Sequence, residues 1–272
     1  MRKRVAIIMS LYHNDKADEL TECLESIFNQ SYKEYDLLLY YDGLIETATR
    51  SVIDSFAIER SMPIYTIEFD VNHGLAFGLN QLITSYSGYE YYVRMDADDI
   101  MREDRIEEQV AFLESNLDID VVGSDYFEFS NDGKYIKTVR FPSTHKEMEA
   151  LFAYRNPIAH VSAVFRKSYF DKAGLYPLNT IKDEDTVMWL NGFLSECRFA
   201  NLSLPLVKVR ISDAFFKRRS GHNKSYADMK NRFLVINQMN YSKKYYLVAI
   251  IKYIIQVTFP PTLMRLMYSK FR

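Results

Sequence analysis

The stretch that decides the fold is Tyr91-Tyr92-Val93-Arg94-Met95-Asp96-Ala97-Asp98-Asp99, in which an apolar, β-prone run ends in three carboxylates. We interpret Tyr89 to Met95 as a strand that delivers Asp96 and Asp98 to the rim of a sheet. Alternate side chains of an extended strand share a side, which places these two carboxylates about 7 Å apart. Such a pair suits a hard dication, Mg²⁺ or Mn²⁺, often shared with a substrate phosphate. The alternative is a helix cap, which explains one Asp but not three beside Arg94.

The residues before this stretch alternate between strand and helix patterns. Val5–Ser10 is a continuous apolar run, typical of a buried parallel strand, and Leu20 to Phe28 has apolar residues at helical spacing. The further predicted elements are strand Tyr35–Tyr41, a helix to about Arg60, strand Ile64–Phe69, a helix from Leu75 to about Tyr86, and strand Tyr89–Met95. This alternation predicts a doubly wound, mostly parallel α/β sheet.

Polar residues stand at the carboxyl end of each predicted strand, namely Ser10, Asp42, Asn72 and the pair Asp96/Asp98. Open α/β sheets bind ligands along that edge. Taken singly, Asp42-Gly43 and Asn72-His73-Gly74 are common turn sequences. Their shared edge favours a nucleotide site.

A second concentration of carboxylates follows later in the chain. Beyond Asp99 the sequence predicts a helix over Arg102–Ser115, a strand over Asp120–Gly123, a hairpin over Phe127–Arg140 turning at Asn131-Asp132-Gly133, a strand after Asn156-Pro157, and a turn at Ala173–Pro177. Lys182-Asp183-Glu184-Asp185 then opens a helix that contains Trp189. Acids at a helix start gain from its dipole. Alternatively, if they face the first cluster, one of them acts as a general base on an acceptor hydroxyl.

The composition fits one large domain, or a domain with an appendage, since 48% of the 272 residues are hydrophobic. Cys23 and Cys197 offer neither metal spacing nor a disulfide framework, which favours a reduced, cytoplasmic compartment. The apolar run near the N-terminus lasts five residues, too short for a signal peptide.

The charge of the chain is strongly asymmetric. From Ala214 to Arg272 there are twelve Lys or Arg and one acid, Asp228, which leaves 22 basic and 35 acidic residues in the body. A basic tail indicates nucleic acid or an anionic membrane as partner. Tyr245–Phe259 is strongly apolar but shorter than the roughly 20 residues of a spanning helix. It favours a helix lying on an anionic leaflet; the alternative is packing on the core or on a partner subunit. No nucleic-acid recognition motif is present.

Together these residues resemble the family 2 glycosyltransferases, inverting nucleotide-sugar enzymes with the GT-A fold, and in particular those of amylovoran, capsule and O-antigen synthesis. The resemblance covers about residues 4–220 and is carried by Ser10-Leu11-Tyr12, Asp42-Gly43, Asn72-His73-Gly74 with Asn80, Arg94-Met95-Asp96-Ala97-Asp98-Asp99, Asn156-Pro157-Ile158-Ala159-His160 and Glu184-Asp185. It implies an α/β GT-A catalytic domain over 1–220, Rossmann-like with a mostly parallel sheet flanked by helices. A basic, amphipathic helical extension over 221–272 would associate with the membrane.

The resemblance also implies roles for single residues. The residues that would bind the nucleotide are Ser10, Asp42, Asn72, Gly74, Asn80, Arg94 and Asp96. Asp98, with Asp96, would bind the metal, Mn²⁺ or Mg²⁺, and Asp185, supported by Glu184, would be the catalytic base. Contacts to phosphate or acceptor would come from His160, Arg210, Arg218 and Arg219. Many relatives carry a His two positions after an Arg near the end of the catalytic domain, whereas here Arg210 and Ile211 precede Ser212. The implied reaction moves a hexose from a UDP-sugar to a polyprenyl-diphosphate-linked glycan, at the inner face of a bacterial plasma membrane.

Two other readings remain open at this stage. Asp96-Ala97-Asp98-Asp99-Ile100 nearly matches the nucleophile loop of haloacid-dehalogenase-like phosphatases, but Ile100 replaces the required Thr or Val and the loop follows a fourth strand rather than the first. A catalytically inactive GT-A-like scaffold is the non-enzyme alternative, although both carboxylate clusters are intact.

Overall fold

The computed structural model describes residues 5–59, 64–180, 183–212 and 222–259, and it begins with the predicted β-α alternation. The first elements are β1 (Val5–Tyr12), α1 (Ala17–Phe28), β2 (Tyr35–Asp42), α2 (Thr47–Glu59), β3 (Ile64–Phe69), α3 (Leu75–Ser85) and β4 (Tyr91–Arg94). β1 pairs in parallel with β2 and with β4, and β2 pairs in parallel with β3. The prediction of a parallel α/β sheet is confirmed for this part of the chain.

The sheet becomes mixed beyond β4. The next elements are β5 (Ile100–Met101), α4 (Arg105–Ser115), β6 (Val121–Ser130), β7 (Tyr135–Val139), α5 (His145–Phe152), a 3₁₀ turn (His160–Ser162), β8 (Val164–Arg166), α6 (Lys167–Ala173), α7 (Glu184–Leu194) and β9 (Phe199–Ile211). The strand order is β3-β2-β1-β4-β8-β6-β9-β5, with β7 added on β6. β8 is antiparallel to both β4 and β6, whereas β6 and β9 are parallel. The whole is an α/β fold with helices on a mixed sheet.

Two hydrophobic cores cover the two faces of this sheet. One core contains Leu24 of α1 and Ile106 of α4, and the other contains Leu79 of α3 and Trp189 of α7. Because β1, β2 and β4 are buried on both sides, their sequences are continuous apolar runs rather than alternating ones. The polar ligands of a site must therefore come from the ends of these strands.

The chain after β4 departs from the predicted strand. β4 ends at Arg94, and residues 96–99, which we call the acidic turn, fold back with the Asp99 amide donating to the Asp96 carbonyl at 3.4 Å. The expected extended arrangement of Asp96 and Asp98 is therefore wrong. The chain must turn here because Ile100 pairs at once with Lys208 of β9. The acidic turn does not cap α4 either, since the N-cap residue of that helix is Asp104.

The predicted hairpin is confirmed, and one long strand was not foreseen. β6 and β7 are antiparallel and turn through Gly133, whose φ is +79°. β9 was missed because Pro205 interrupts its pattern; the register against β6 shifts on either side of Asp125, the residue that pairs with Pro205. Proline within a sheet is tolerated at such irregularities.

After β9, the described residues form two further helices, α8 (His222–Gln238) and α9 (Lys244–Thr258). α8 packs on α7 and contributes Val235 to a core, whereas Ala249 is the buried residue of α9. The apolar run predicted as a helix over Tyr245–Phe259 is therefore helical. Within the described ranges, no helix is long and apolar enough to cross a membrane. The predicted boundary at 220/221 and the tail beyond 259 lie outside the described residues.

Candidate active site

The carboxyl ends of the central strands bring the predicted nucleotide residues to one edge. Tyr12 of β1 lies beside Asp42 of β2, and Ile8 of β1 lies beside Arg94 of β4. Ser10 is two residues before the end of β1. The rim deduced from the sequence therefore exists, and it includes strand ends from β1, β2 and β4.

Asp42 organises the loop that precedes α3. Its buried carboxylate accepts hydrogen bonds from the His73 amide at 2.6 Å and from the Gly74 amide at 3.0 Å. The Asn72 side chain donates to the Asp42 carbonyl at 3.3 Å. Gly74 has φ +89° at the start of α3, a conformation that favours glycine. Asp42, Asn72 and Gly74 thus form one structural unit, and their predicted contact with a nucleotide stays a prediction.

Asn80 is a buried residue of α3. It is 7% exposed, and its side-chain amide makes two hydrogen bonds of 2.8 Å with the backbone of Tyr176. The side chain therefore ties α3 to the 173–177 turn. Its predicted role in the nucleotide pocket stays a prediction.

Arg94 is a buried cation beside the acidic turn. Its side chain is 2% exposed and forms an ion pair with Asp96, whose own side chain is 42% exposed. Among the described residues its Nε atom has no hydrogen-bond partner. Burial opposes the charge, but neighbouring acids, Asp96 foremost, outweigh it and raise the pKa of Arg94. A cation held this way places positive charge at the end of β4, and its predicted contact with a ribose or phosphate stays a prediction.

Asp99 differs from the other two acids of the turn because it is buried. It accepts a hydrogen bond from the Arg210 amide at 2.8 Å. Burial, followed by the charges of Asp98 and Asp96, raises the pKa of Asp99 well above its usual range. Asp99 therefore anchors the turn to β9 and leaves Asp96 and Asp98 at its outer side.

Arg210 fixes the acidic turn from the other direction. Its Nε donates to the Asp98 carbonyl at 3.0 Å, its Nη2 pairs with Glu22 at 2.7 Å, and its guanidinium stacks on Phe129 at 4.6 Å. These contacts make Arg210 a support of the turn, while its predicted phosphate contact stays a prediction. Arg218 and Arg219, assigned to the same role, lie outside the described residues.

The residues of the acidic turn fit a dication that is shared with a substrate. Asp96 and Asp98 are both partly exposed, and carboxylate oxygens are the ligands that Mg²⁺ and Mn²⁺ prefer. In the described part of the chain, no group of three or more His, Cys, Asp or Glu side chains is arranged to hold a metal alone. That donor set leaves most of the coordination to substrate phosphates and water, which is how Mg²⁺ is often held in proteins.

Asp185 is held in a defined orientation at the start of α7. Its Oδ2 accepts from the Asn156 side chain at 3.0 Å, and its Oδ1 accepts from the Thr186 amide at 2.8 Å. Burial, followed by the charges of Asp183 and Glu184, raises the pKa of Asp185 to about 6, with Lys224 opposing. A carboxylate with such a pKa is suited to accept a proton near neutral pH.

Asp183, two residues before Asp185, is engaged with α8. It is the N-cap residue of α7 in a left-handed conformation and pairs with Lys224 of α8. Its carboxylate also shares a hydrogen bond with Asp228, whose pKa is raised to about 7 by burial and by Asp183. Asp183 is thus engaged with α8, which leaves Asp185, supported by Glu184, as the candidate base.

His160 and Tyr176 lie between the two acidic clusters. The His160 Nε2 and Tyr176 hydroxyl are 2.9 Å apart. Burial, then Arg94, lowers the pKa of His160 well below its usual value, so the imidazole is neutral and brings no charge to a phosphate. Burial raises the pKa of Tyr176, with Arg94 opposing and the acids Glu184 and Asp185 adding to it. The Tyr176 phenol is therefore within electrostatic range of Arg94 and Asp96 in the first cluster and of Glu184 and Asp185 in the second.

Three residues near Asp185 are not predicted from the sequence to lie there. Asn156 belongs to a motif without an assigned role for that residue, and Lys224 and Arg232 are part of the basic charge of the C-terminal extension. The structure places all three around Asp185, with Arg232 donating to Asn156 at 3.0 Å. The spacing of Lys224, Asp228 and Arg232 by four residues was the available signal, since it puts them on one face of a helix.

Comparison with known proteins gives a consistent assignment. The family model described as glycosyl transferase family 2 matches residues 6–174. The amylovoran biosynthesis glycosyltransferase AmsE of Erwinia amylovora is 28% identical over 271 residues, which are 98% of this chain and 98% of that protein. The UDP-Gal:alpha-D-GlcNAc-diphosphoundecaprenol beta-1,3-galactosyltransferase of Escherichia coli is 28% identical over 98% of this chain and 96% of its own length.

A solved structure supports the fold. The mannosyltransferase PcManGT from Pyrobaculum calidifontis, in complex with GDP-Man and Mn²⁺, superposes with a TM-score of 0.64 at 14% identity. The match covers 99% of this chain and 80% of that one. The GT-A fold expected from the sequence is confirmed.

Proposed function

This chain belongs to glycosyl transferase family 2, and on that premise we propose that it is a metal-dependent, inverting hexosyltransferase. Its donor would be a UDP-sugar, and its acceptor a hydroxyl of a lipid-linked oligosaccharide in the synthesis of a bacterial surface polysaccharide. The E. coli relative, whose printed name gives UDP-Gal and a diphosphoundecaprenol acceptor, supports both substrate classes. The amylovoran relative supports the polysaccharide context.

The observation that carries the proposal is the paired arrangement of a rim site and a base. Asp185 takes the proton of the acceptor hydroxyl while the hydroxyl oxygen bonds to the anomeric carbon of the donor. The bond from that carbon to the diphosphate oxygen breaks, and its electron pair leaves with the nucleoside diphosphate. Because attack comes from the face opposite the leaving group, the anomeric configuration inverts. A base of this kind contributes about 10² to 10⁴ in rate.

The leaving diphosphate gains negative charge as the bond breaks, and Arg94 offers one buried cation near it. A dication held by Asp98 and Asp96 would supply further charge there. The PcManGT structure with Mn²⁺ supports a metal of this kind. The haloacid-dehalogenase reading is set aside, because the acidic turn follows β4 and the chain matches a glycosyltransferase family.

The experiment is a thermal-shift panel of nucleoside diphosphates and their sugars, each with and without Mn²⁺ or Mg²⁺. We expect UDP with metal to raise the midpoint, since a ligand at a hundred times its dissociation constant adds about 2.7 kcal/mol. Asp98→Asn should lose the metal-dependent part, while Asp118→Asn, which removes an exposed carboxylate elsewhere, should keep it. A panel with no shift for any nucleotide would overturn the donor assignment and favour the inactive scaffold.

The same proposal includes the C-terminal extension as a membrane-associating element. α9 exposes an apolar stripe of Leu247, Ile250, Ile251, Ile254 and Val257, with exposed Lys243 and Lys244 at its start. Apolar side chains beside basic ones fit an anionic bilayer surface. Flotation with vesicles that contain phosphatidylglycerol should recover the protein, and neutral phosphatidylcholine vesicles should recover less. Equal recovery by Leu247→Asp/Ile254→Asp would refute the role of the stripe, and a dimer broken by those changes would assign it to a partner subunit.

A further inference from the structure

The candidate base is linked to the C-terminal extension by a chain of hydrogen bonds. Arg232 of α8 donates from Nη2 to the Asn156 Oδ1 at 3.0 Å, and Asn156 donates from Nδ2 to the Asp185 Oδ2 at 3.0 Å. Thr186 also donates its hydroxyl to the Asn156 Oδ1 at 3.0 Å. The two bonds that join Arg232 to Asp185 therefore both donate in the direction from α8 to the base.

Arg232 is the member that fixes the direction of the chain in both protonation states of Asp185, since an ionised carboxylate only accepts but a protonated one can also donate. An amide can be turned over, which would exchange its oxygen and its NH₂ group. The Thr186 hydroxyl can donate or accept and would tolerate either orientation, whereas a guanidinium can only donate. Arg232 therefore holds the Asn156 oxygen towards itself and leaves the NH₂ group for Asp185. With the amide reversed, its oxygen would face the carboxylate and repel it.

The Arg232 guanidinium is well placed to orient Asn156, but its burial disfavours the charged form. Arg232 is 8% exposed, donates to the Phe152 carbonyl and lies over the Phe152 ring at 5.2 Å. Burial lowers its pKa to about 10. Buried cations contribute little to stability because desolvation offsets their attractions. Stability alone therefore does not explain why an arginine occupies position 232.

Arg232 acts from a face of α8 that is devoted to the base cluster. Lys224, Asp228 and Arg232 are spaced by four residues, so they lie on one side of the helix. Lys224 pairs with Asp183 at the start of α7, and Arg232 reaches Asp185 through Asn156. The segment matched by the family model ends at residue 174, so this helix lies beyond it.

We propose that Arg232 is a positioning residue for the Asp185 base, acting through the amide of Asn156, so that α8 completes the active site. The inference rests on the proposed function, because it takes Asp185 as the base of the transfer. It gives the extension a second task besides meeting a membrane. Asn156 is then the relay, and its Nδ2 is the atom that touches the base.

The test compares kcat, KM and pH profiles of sugar transfer for the full chain and for Arg232→Gln, Arg232→Lys and Asn156→Ala. Gln can turn its own amide, so it no longer fixes the orientation; we expect kcat to fall about tenfold or more, with the KM for the nucleotide sugar little changed. Lys still donates and should recover part of the loss. Arg166→Gln is the matched control, since Arg166 also bonds backbone carbonyls but at Ile119 and Leu113.

The pH profile separates positioning from a general loss of structure. The charged groups around Asp185 are Asp183 and Glu184 on α7, Lys224, Asp228 and Arg232 on α8, Lys252 on α9, and the Tyr176 phenol. Losing the donor to the Asp185 carboxylate destabilises its charged form. The acidic limb of kcat, expected near pH 6, should therefore move to higher pH in Arg232→Gln and stay in place in Arg166→Gln.

A double-mutant cycle of Arg232→Gln and Asn156→Ala tests whether Arg232 acts on Asp185 through Asn156. If Arg232 acts through Asn156, Arg232→Gln should change kcat little once Asn156→Ala is present. Additive effects, or an unmoved acidic limb, would overturn the proposal. Asp185→Asn keeps the two claims apart: if that variant remains active, the base assignment fails; if it is inactive while Arg232→Gln is not, the positioning role alone fails. A UDP thermal shift on each variant shows that it is folded.

Discussion

Replacing the candidate base should make the protein inactive and, above pH 6, more stable. Burial and two neighbouring acids raise the pKa of Asp185 from 3.8 to about 6. A pKa difference of one corresponds to about 1.4 kcal/mol, so keeping this carboxylate ionised in the folded protein costs about 3 kcal/mol at pH 7.5. Asp185→Asn removes that cost but weakens the hydrogen bond from Asn156, worth about 1–2 kcal/mol. The net gain in unfolding free energy is about 1–2 kcal/mol.

The pH dependence gives this prediction its signature. Because the folded pKa lies above the unfolded one, the folded protein binds more protons between about pH 4 and pH 6. As the pH rises from about 4 to about 6, the unfolding free energy of the natural chain therefore falls relative to that of Asp185→Asn. Near pH 4 the carboxyl is protonated in the folded protein and about half protonated in the unfolded chain, so the two proteins should agree to within about 1 kcal/mol.

Urea unfolding at several pH values from 4 to 7.5 measures this difference directly. Asp118→Asn, which removes an exposed carboxylate paired with Arg198, is the control and should show no such window. A difference between Asp185→Asn and the natural chain that stays constant with pH would refute the reasoning. So would a variant that is less stable at pH 7.5.

Three further predictions concern the parts that hold the site. Gly78→Ala should lower the unfolding free energy by about 1–3 kcal/mol, because an added Cβ would lie 2.2 Å from the Tyr40 ring. Urea unfolding measures this, with Gly88→Ala as the control because Gly88 has open space around it; equal effects of the two changes would contradict the packing argument. Asp42→Ala should cost about 1–3 kcal/mol by leaving the His73 and Gly74 amides without their acceptor, whereas Asp42→Asn keeps an oxygen and should cost less; equal midpoints for Asp42→Ala and the natural chain would contradict this. Arg210→Lys should weaken the metal-dependent thermal shift by UDP, because a lysine cannot bond Glu22 and the Asp98 carbonyl together as the guanidinium does. Arg140→Lys is the control, and an unchanged shift in Arg210→Lys would show that the contacts of Arg210 do not support the acidic turn.

The sequence was most informative where one local pattern decides the structure. Continuous apolar runs identified β1, β2 and β4, since burial on both faces leaves few polar side chains in such strands, most of them near the carboxyl ends. Gly133 marked the hairpin because its φ of +79° favours glycine. The rim residues followed from these elements, as the carboxyl ends of parallel strands meet at one edge.

The sequence failed where distant segments decide. The acidic turn bends because Ile100 pairs with Lys208, more than a hundred residues later, and no local signal carries that pairing. Asn80 shares a motif with rim residues, yet its contacts are to the backbone of Tyr176. Lys224 and Arg232 had the composition of a basic tail, and only the packing of α8 on α7 shows that they face inward.

The two acidic clusters illustrate how environment divides chemically identical side chains. Asp96, the predicted metal ligand, is 42% exposed and forms an ion pair with the buried Arg94. A base must take up a proton and release it, and Asp185 is buried beside two acids, which holds its pKa at about 6. Under the proposed function, the partly exposed carboxylates would bind the dication while the buried one accepts the proton at the same pH. The cations of α8 belong to the second cluster because a buried carboxylate with acidic neighbours needs opposite charge nearby to remain ionised when the acceptor arrives.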